Sequence, residues 1–185
     1  MMQQLIADSE EKMKKTIASL QKELVTIRTG RASPALLDRI EADYYGTPTS
    51  IKQMASVSVP DARTLLISPF EKKSLGTIEK ALMKSDLGIT PNNDGIVLRL
   101  IFPAPTEERR KELVKVAKKH AEETKIAIRN IRRDENEKIK ALEKKSDLTQ
   151  DDSKKLQEQL QKLTDRYINE TEQVLSGKEA EIMEV

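Results

Sequence analysis

Apolar residues near the start of the chain recur at helical spacing. From Ile6 the stripe continues as Met13, Ile17, Leu20, Leu24 and Ile27. A helical turn takes about 3.6 residues, so steps of three and four predict an amphipathic helix with one buried face. We expect this helix to end at Thr29-Gly30, because glycine supplies a flexible stop and Ser33-Pro34 cannot continue the helix. A single stripe is not stable alone, so the helix needs partners.

Residues 106–185 predict two partner helices. The first opens with Thr106 as N-cap and acidic residues in its first turn. Its inward residues repeat at eleven positions rather than seven, which predicts a nearly straight rod. They are Leu113, Ala117, His120, Thr124, Ile128, Ile131, Ile139 and Leu142. The second opens at Thr149 in capping-box form, with Asp152 in place of the usual Glu. Its stripe is Leu156, Leu160, Leu163, Tyr167 and Val174. Three helices with one stripe each predict a three-helix bundle.

Residues 31–105 show the alternation of strands instead of helical spacing. Alternating stretches fall at 55–59, 63–67 and 96–101, with a short helix predicted over 71–85. The predicted fold class is α+β with two domains, a long three-helix bundle (1–30 and 106–185) and an inserted small α+β domain (31–105). Two connections, TGRASP and FPAPT, join them. Proline stiffens each connection locally and Gly30 permits a bend, which predicts a hinge with limited swing. The predicted hinge residues are Gly30, Arg31, Pro103, Ala104 and Pro105.

Composition narrows the functional classes. The chain has no cysteine, which excludes disulfides and cysteine-based metal sites and fits a reducing compartment. No apolar run reaches the roughly 18 residues of a membrane span, and the N-terminus lacks the apolar core of a signal peptide. We therefore expect a soluble, cytoplasmic protein without a membrane partner. Three complementary stripes within one chain make a monomer sufficient.

The reactive groups predict that the chain is not an enzyme. His120 is the only histidine and falls on an apolar stripe, so we expect a packed or rim histidine rather than a triad or zinc site. The stretch PNNDG (91–95) lacks the lysine and spacing of a phosphate loop. Asp-Gly before a strand is typical of a tight turn, with contact to a partner as the alternative. No cofactor or metal is predicted.

The net charge of +2 conceals two segments of opposite sign. Residues 107–145 hold 14 Lys and Arg against 9 Asp and Glu, whereas residues 147–185 hold 5 against 10. At ~100° per residue, eight basic side chains of the first segment fall within roughly 60° of one line, opposite the apolar stripe. This basic line consists of Lys111, Lys115, Lys118, Lys125, Arg129, Arg132, Arg133 and Lys140.

Two interpretations of the basic line stand side by side. The lysines are typical of a face that keeps a helix soluble. Arginine has a planar fork that suits paired phosphate oxygens, so Arg129, Arg132 and Arg133 indicate structured RNA. Aromatic residues do not alternate with the charges, which argues against stacking on single strands. The line would therefore bind the backbone and shape of RNA rather than its sequence.

Seven segments, taken in order, resemble the ribosome recycling factor family. They are IRTGRASP (27–34), DYYGTP (43–48), SDLG (85–88), PNNDG (91–95), TEERRKEL (106–113), IRNIRRD (128–134) and QKLTD (161–165). The resemblance covers essentially the whole chain, and so many ordered matches are highly specific. It implies an L-shaped molecule, roughly tRNA-like in outline, in which a hinge joins a three-helix bundle to a small β/α/β sandwich.

The resemblance also implies a function and site residues. Family members bind the ribosome left after termination and, with the GTPase elongation factor G, help to separate its subunits; they are not enzymes. By resemblance, Arg132 with Arg129 and Arg133 contacts large-subunit ribosomal RNA, and the inserted domain meets the GTPase. The remaining RNA-binding candidates are Arg28, Arg31 and Arg110 near the hinge, with Lys118 and Lys125 on the basic line.

Other function classes fit the same pattern. A coiled-coil scaffold would use the basic face for solvation only, and its association with RNA would depend weakly on salt. A nucleic-acid chaperone would bind ribosomal and unrelated duplex RNA with similar affinity. Phosphate anchoring instead predicts that log affinity falls against log salt concentration with a slope of about −0.7 to −0.9 per neutralised phosphate. A hydrolase fits least, given the reactive groups.

Overall fold

The computed structural model describes residues 1–184, which form two compact units. The bundle unit is Met1–Thr29 together with the chain from Thr106 onward, and the small unit is Gly30–Pro105. Within residues 1–184, the regular structure of the bundle unit is helical, and the strands all lie in the small unit, which has its own hydrophobic core. The predicted α+β fold class is confirmed. Gly30, which we assigned to the bundle side, falls in the small unit.

Helix α1 runs over Met2–Val25 and buries one face. Its buried residues are Ser9, Met13, Ile17, Leu20 and Leu24. The predicted end at Thr29-Gly30 was wrong, because the chain leaves the helix after Val25. The N–H groups of Thr26 and Ile27 bond to carbonyls three residues back, and Thr26 Oγ1 donates to the Glu23 carbonyl at 2.6 Å. A run of β-branched residues disfavours continued helix, and these tighter turns close it.

The other two long helices begin where their caps predict. Helix α4 spans Glu107–Lys144 and helix α5 spans Gln150–Met183. The Thr106 hydroxyl accepts from the Arg109 N–H at 3.1 Å, and the Thr149 hydroxyl accepts from the Asp152 N–H at 3.0 Å. Both predicted N-caps are confirmed. Each hydroxyl satisfies a backbone donor that has no partner inside its helix.

The three long helices pack against one another in all three pairings. One apolar cluster joins the first half of α1 to the second half of α4 and the first half of α5. A second cluster joins the end of α1 to the start of α4 and the end of α5. Helix α4 is therefore antiparallel to α1 and α5, which are parallel to each other. Helix α4 is continuous over 38 residues.

Every position of the predicted stripes is buried or half-buried, and further buried positions were not predicted. Val174 is half-buried and packs against both apolar clusters, and its neighbour Leu175 is also buried. Ala121 and Glu135 are buried in α4 although neither was predicted to face inward. Ala121 lies at the edge of the stripe, where neighbouring residues share the interior, whereas Glu135 falls on the eleven-residue repeat of Leu113 and Thr124.

The small unit contains two sheets and two short helices. Strands β3 (Ala55–Asp61), β4 (Thr64–Pro69), β5 (Asn92–Asn93) and β6 (Leu98–Ile101) form an antiparallel sheet in the order β3-β4-β6-β5. Strands β1 (Glu41–Tyr44) and β2 (Thr47–Ser50) form a separate hairpin. A 3₁₀ turn covers Pro34–Leu37, and the helices are α2 (Ile51–Met54) and α3 (Ser74–Lys84).

Two features of the small unit differ from prediction. Helix α3 begins at Ser74 rather than residue 71, because Glu71 instead accepts hydrogen bonds from two tyrosines of the first hairpin. The hairpin itself was not predicted. Its turn residues Tyr45 and Gly46 both have positive φ, 51° and 85°. This conformation gives a two-residue hairpin loop, and Tyr-Gly is a weaker signal for it than Asn-Gly.

Candidate nucleic-acid interface on helix α4

Helix α4 carries the basic line on a continuous backbone. The line runs for ~44 Å from Lys111 to Lys140, at ~1.5 Å per residue. Its exposed members are Lys111, Lys115, Lys118, Arg133 and Lys140, and its half-buried members are Lys125, Arg129 and Arg132. The fully buried Ile128 and Ile139 hold the opposite side of the helix in the bundle core. The apolar core therefore fixes the position of α4 in the bundle independently of the exposed charges on the line.

Five members of the line hold charge that the fold does not use. Within residues 1–184, the side chains of Arg129, Arg133, Lys115, Lys118 and Lys140 make no hydrogen bond or ion pair. A cation without a protein partner keeps its full attraction for an anion that approaches the surface. These five side chains are therefore the most available for phosphate groups.

Arg132 is held in place by helix α5. Its Nη1 donates to Gln161 Oε1 at 3.2 Å, and Gln161 Nε2 donates in turn to Asp165 Oδ1 at 2.9 Å. A guanidinium group has five N–H donors in a fixed fork, so one bond to a side-chain amide orients the group without exhausting it. Gln161 and Asp165 belong to the QKLTD segment (161–165), for which no role was predicted.

Lys125 is placed differently from our prediction. The sequence put it on the exposed line, whereas its side chain is only 13% exposed and forms ion pairs with Glu122 and Glu172. Glu172 lies on α5, so this lysine joins two helices of the bundle. Its charge is already compensated, which makes it the weakest RNA-binding candidate on the line.

Three further arginines were predicted to extend the surface near the hinge. Arg28 is exposed after the end of α1, and Arg110 is half-buried in the first turn of α4. Ile27 and Leu113, which neighbour them, belong to one apolar cluster, so both arginines lie at the same end of the bundle unit. Arg31 is exposed and belongs to the small unit.

Glu135 is a buried carboxylate that the sequence reading missed. Its side chain is 3% exposed and accepts hydrogen bonds from Lys12 Nζ at 2.9 Å and Lys138 Nζ at 3.1 Å. Burial raises the pKa of Glu135, but the two lysine bonds outweigh burial and hold the pKa below its ordinary value. Because lysines on the side away from the basic line neutralise this carboxylate, it does not offset the charge of Arg132 and Arg133. Its position within the α4 repeat was the available signal.

The remaining candidates carry no reactive site. His120 is half-buried at the rim, with Nδ1 2.9 Å from Glu23 Oε2. PNNDG contains strand β5, and its last two residues begin the hairpin loop to β6, in which Asp94 accepts from the N–H groups of Ile96 and Val97. Residues 1–184 hold no group of three or more metal-binding side chains. No helix in the same range combines the length and apolar character needed to cross a membrane.

The hinge candidates all belong to the small unit. Gly30 has φ of +73°, in the left-handed region that favours glycine. Pro103 and Ala104 are exposed and Pro105 is half-buried. A Cβ at position 30 would lie 3.1 Å from the Pro103 carbonyl oxygen and 3.3 Å from Pro105 Cδ. The two connecting strands therefore touch at this point.

A family model described as "Ribosome recycling factor" matches residues 20–183 of the chain. The chain belongs to the ribosome recycling factor family. Relatives of this family include the ribosome-recycling factor of Syntrophomonas wolfei subsp. wolfei, 56% identical over 185 residues and covered completely on both sides. The ribosome-recycling factor of Bacillus mycoides is 53% identical over 183 residues, which is 99% of each chain.

Solved structures of ribosome recycling factors are similar in fold. The solution structure of a ribosome recycling factor has a TM-score of 0.72 and 38% identity, with 100% of this chain and 98% of that chain covered. A second structure gives the T. thermophilus ribosome recycling factor and the E. coli elongation factor G bound to the E. coli post-termination complex. It has a TM-score of 0.62 and 41% identity over the full length of both chains.

Proposed function

We propose that this chain binds the post-termination ribosome through large-subunit ribosomal RNA and, with elongation factor G and GTP, promotes its separation into subunits. The observation that carries the proposal is full-length identity of 56% to a ribosome-recycling factor. The similar factor that is described with elongation factor G on a post-termination complex supports the choice of partners. The chain acts in the cytoplasm as a monomer, without catalysis of its own, and the GTPase supplies the energy of hydrolysis.

The RNA site of the proposal centres on Arg129, Arg132 and Arg133. The uncompensated charges of Arg129 and Arg133 and the oriented guanidinium of Arg132 support this choice. Phosphate oxygens accept two N–H bonds from one guanidinium, which fixes a rigid helix against an RNA backbone. Lys118 adds a point charge further along α4. Arg28, Arg31 and Arg110 extend the surface toward the connections, and Lys125 contributes least.

The two units divide the work in this proposal. The bundle unit anchors on RNA, and the small unit receives the movement of the GTPase. The connections at Gly30, Arg31 and Pro103–Pro105 then transmit that movement into the RNA contacts of α4. Elongation factor G supplies the nucleotide-binding site, so the chain needs no phosphate loop of its own.

A subunit-splitting assay tests the proposal. Post-termination ribosomes are mixed with elongation factor G, GTP and either the wild-type chain or Arg132→Ala, and subunits are followed by light scattering. We expect the wild type to split ribosomes and Arg132→Ala to need about tenfold more protein, since a hydrogen bond to a charged group is worth about 1.5–3 kcal/mol.

Arg109→Ala is the matched control. Arg109 is an exposed arginine of the same helix, roughly 160° away from Arg129, and pairs only with Glu112 at the surface. We expect this variant to behave as wild type. Full activity of Arg132→Ala would contradict the RNA site, and an inactive wild type would contradict the proposed function itself.

A further inference from the structure

Arg63 links the first connecting strand to the sheet of the small unit. It lies in the turn between β3 and β4, and its Nη1 donates to the Gly30 carbonyl at 2.9 Å. Its own backbone N–H donates to Asp61 Oδ1 at 2.9 Å, which fixes the turn from which the side chain extends. Two residues further along the connection, the Ala32 N–H donates to the Ala62 carbonyl at 2.8 Å. The first strand is thus held by both the side chain and the backbone of this turn.

The same residue also holds the second connecting strand. The Phe102 N–H donates to the Arg63 carbonyl at 2.7 Å, which extends the pairing of β4 with β6 by one step beyond Thr64 and Ile101. Pro103, the next residue, brings its carbonyl close to Gly30. Arg63 is therefore bonded to one connection through its side chain and to the other through its backbone.

The space around Gly30 is closed on three sides. A Cβ there would lie 2.9 Å from Arg63 Nη1, with the Pro103 carbonyl and the Pro105 ring also within 3.3 Å. Positive φ already disfavours any other residue at this position. Glycine thus permits the guanidinium to reach the backbone, and the two residues form one arrangement. This arrangement joins the strands that the proposed mechanism uses to transmit movement.

We propose that Arg63 is a positioning residue for subunit splitting, because it fastens the two connecting strands to each other. We call the bonds of Arg63 to Gly30 and Phe102 the clamp. With the clamp closed, the two strands move as one pair, so movement of the small unit is transmitted rather than absorbed. With the clamp open, each strand bends separately and part of the movement is lost. This inference rests on the proposed function, which it deepens by naming the residue that stiffens the connection.

The first measurement needs no ribosome. The chain has no cysteine, so single cysteines at the exposed Ser19 of α1 and Ser56 of β3 can carry spin labels without competing sites. We expect Arg63→Ala to broaden the distribution of label-to-label distances, measured by double electron–electron resonance, by about twofold, because a charge-assisted bond at the joint is lost. The control is Arg99→Ala, which removes a half-buried arginine of the same unit that bonds to Asp94. A distribution of unchanged width in Arg63→Ala would overturn the proposal.

The second measurement separates positioning from binding. We expect Arg63→Ala to lower the maximal splitting rate by about fivefold, with the protein concentration for half-maximal rate unchanged, and Arg63→Lys to restore part of the rate because it retains one donor. Arg99→Ala should split at the wild-type rate. A broadened distribution with an unaltered maximal rate would also overturn the proposal. An inactive wild type would instead defeat the proposed function, which the spin-label result does not depend on.

Gly30→Ala approaches the same arrangement from the other side. We expect it to reduce the maximal rate as Arg63→Ala does, and the double variant to be no slower than the slower single variant. Rates that multiply in the double variant would show two independent effects and contradict a single clamp. Thermal melting of each variant establishes that the small unit is still folded.

Discussion

Different kinds of contact stabilise the interior of the bundle unit and the interior of the small unit. In the bundle unit, apolar stripes of three long helices form the core, and most charged residues stand outside it. In the small unit, a compact core is supplemented by polar contacts at the turns, where single side chains fix the chain. Exposed charges of the bundle that make no contact between helices can therefore change without altering its core. The small unit depends more on individual residues.

Two turns of the small unit illustrate this dependence. Tyr44 and Tyr45 donate to the two carboxylate oxygens of Glu71 at 2.8 and 3.0 Å, which fastens the first hairpin to the segment before α3. Asp94 accepts from two backbone N–H groups and from Arg99, and these bonds lower the pKa of Asp94 to about 2. The Asp94 carboxylate therefore favours the folded state above the ordinary pKa of an aspartate, and this contribution is lost as the pH falls through about 2.

The largest effect is expected when each core is damaged in turn. Leu65→Ala in the small unit and Ile128→Ala in the bundle unit each remove a fully buried side chain and should cost about 3 kcal/mol. Hydrogen exchange should then increase mainly within residues 30–105 for Leu65→Ala and mainly within the long helices for Ile128→Ala. An equal increase in exchange throughout the chain in both variants would show that the chain unfolds as one cooperative unit and would contradict separate stabilisation of the two units.

The second effect concerns two basic residues on the same line of α4. Arg133→Ala should weaken binding to the isolated large ribosomal subunit about tenfold, while Lys125→Ala should weaken it less than about threefold. Lys125→Ala should instead lower the melting temperature, because Glu122 and Glu172 lose their partner. Filter binding measures the affinity for the large subunit, and calorimetry measures the melting temperature. The reverse order of affinities would mean that the ion pairs of Lys125 open on RNA.

A smaller effect is expected at the buried carboxylate of the bundle. Glu135→Gln should lower the free energy of unfolding at pH 7 by about 1–2 kcal/mol, because charge-assisted bonds from Lys12 and Lys138 become neutral ones. The folded-state pKa of Glu135 is lowered, so its contribution is present above the ordinary glutamate pKa and is lost as the pH falls through the folded-state value. Urea denaturation should therefore show a smaller difference between variant and wild type in acid. The exposed Glu137→Gln is the control, and a difference that does not shrink in acid would contradict this account.

The smallest effect is expected at a helix cap. Thr149→Ala should destabilise the bundle by about 1 kcal/mol, because the Asp152 N–H loses its acceptor. Thr149→Ser keeps a hydroxyl and should retain most of the stability in the same thermal melts. An equal loss in both variants would show that the methyl group, and not the hydrogen bond, matters here.

The features that followed from sequence were those set by neighbours in the chain. The caps at Thr106 and Thr149 and the stripes of the long helices depend on spacing alone. The end of α1 was misplaced because glycine was given more weight than the β-branched run that precedes it. The hairpin at residues 41–50 was missed because its strands are short and its turn carries Tyr45 instead of asparagine.

The contacts that could not be predicted join residues far apart in the chain. Arg132 was a candidate from its position on α4, but its bond to Gln161 depends on how α4 and α5 pair. The pairing of Lys125 with Glu172 depends on the same packing. No role was predicted for Arg63, because nothing near it in the sequence indicates a contact with Gly30, which lies 33 residues earlier. Spacing identifies the face of a helix but not the partner across it.

The salt dependence of binding to the large ribosomal subunit tests the proposed RNA site most directly. For the variant in which Arg129, Arg132 and Arg133 are all alanine, the slope of log affinity against log salt concentration should be shallower than wild type by about 2 to 3, at about 0.7–0.9 per lost phosphate contact. Arg109→Ala should keep the wild-type slope. Identical slopes for the triple variant and the wild type would contradict phosphate anchoring by helix α4.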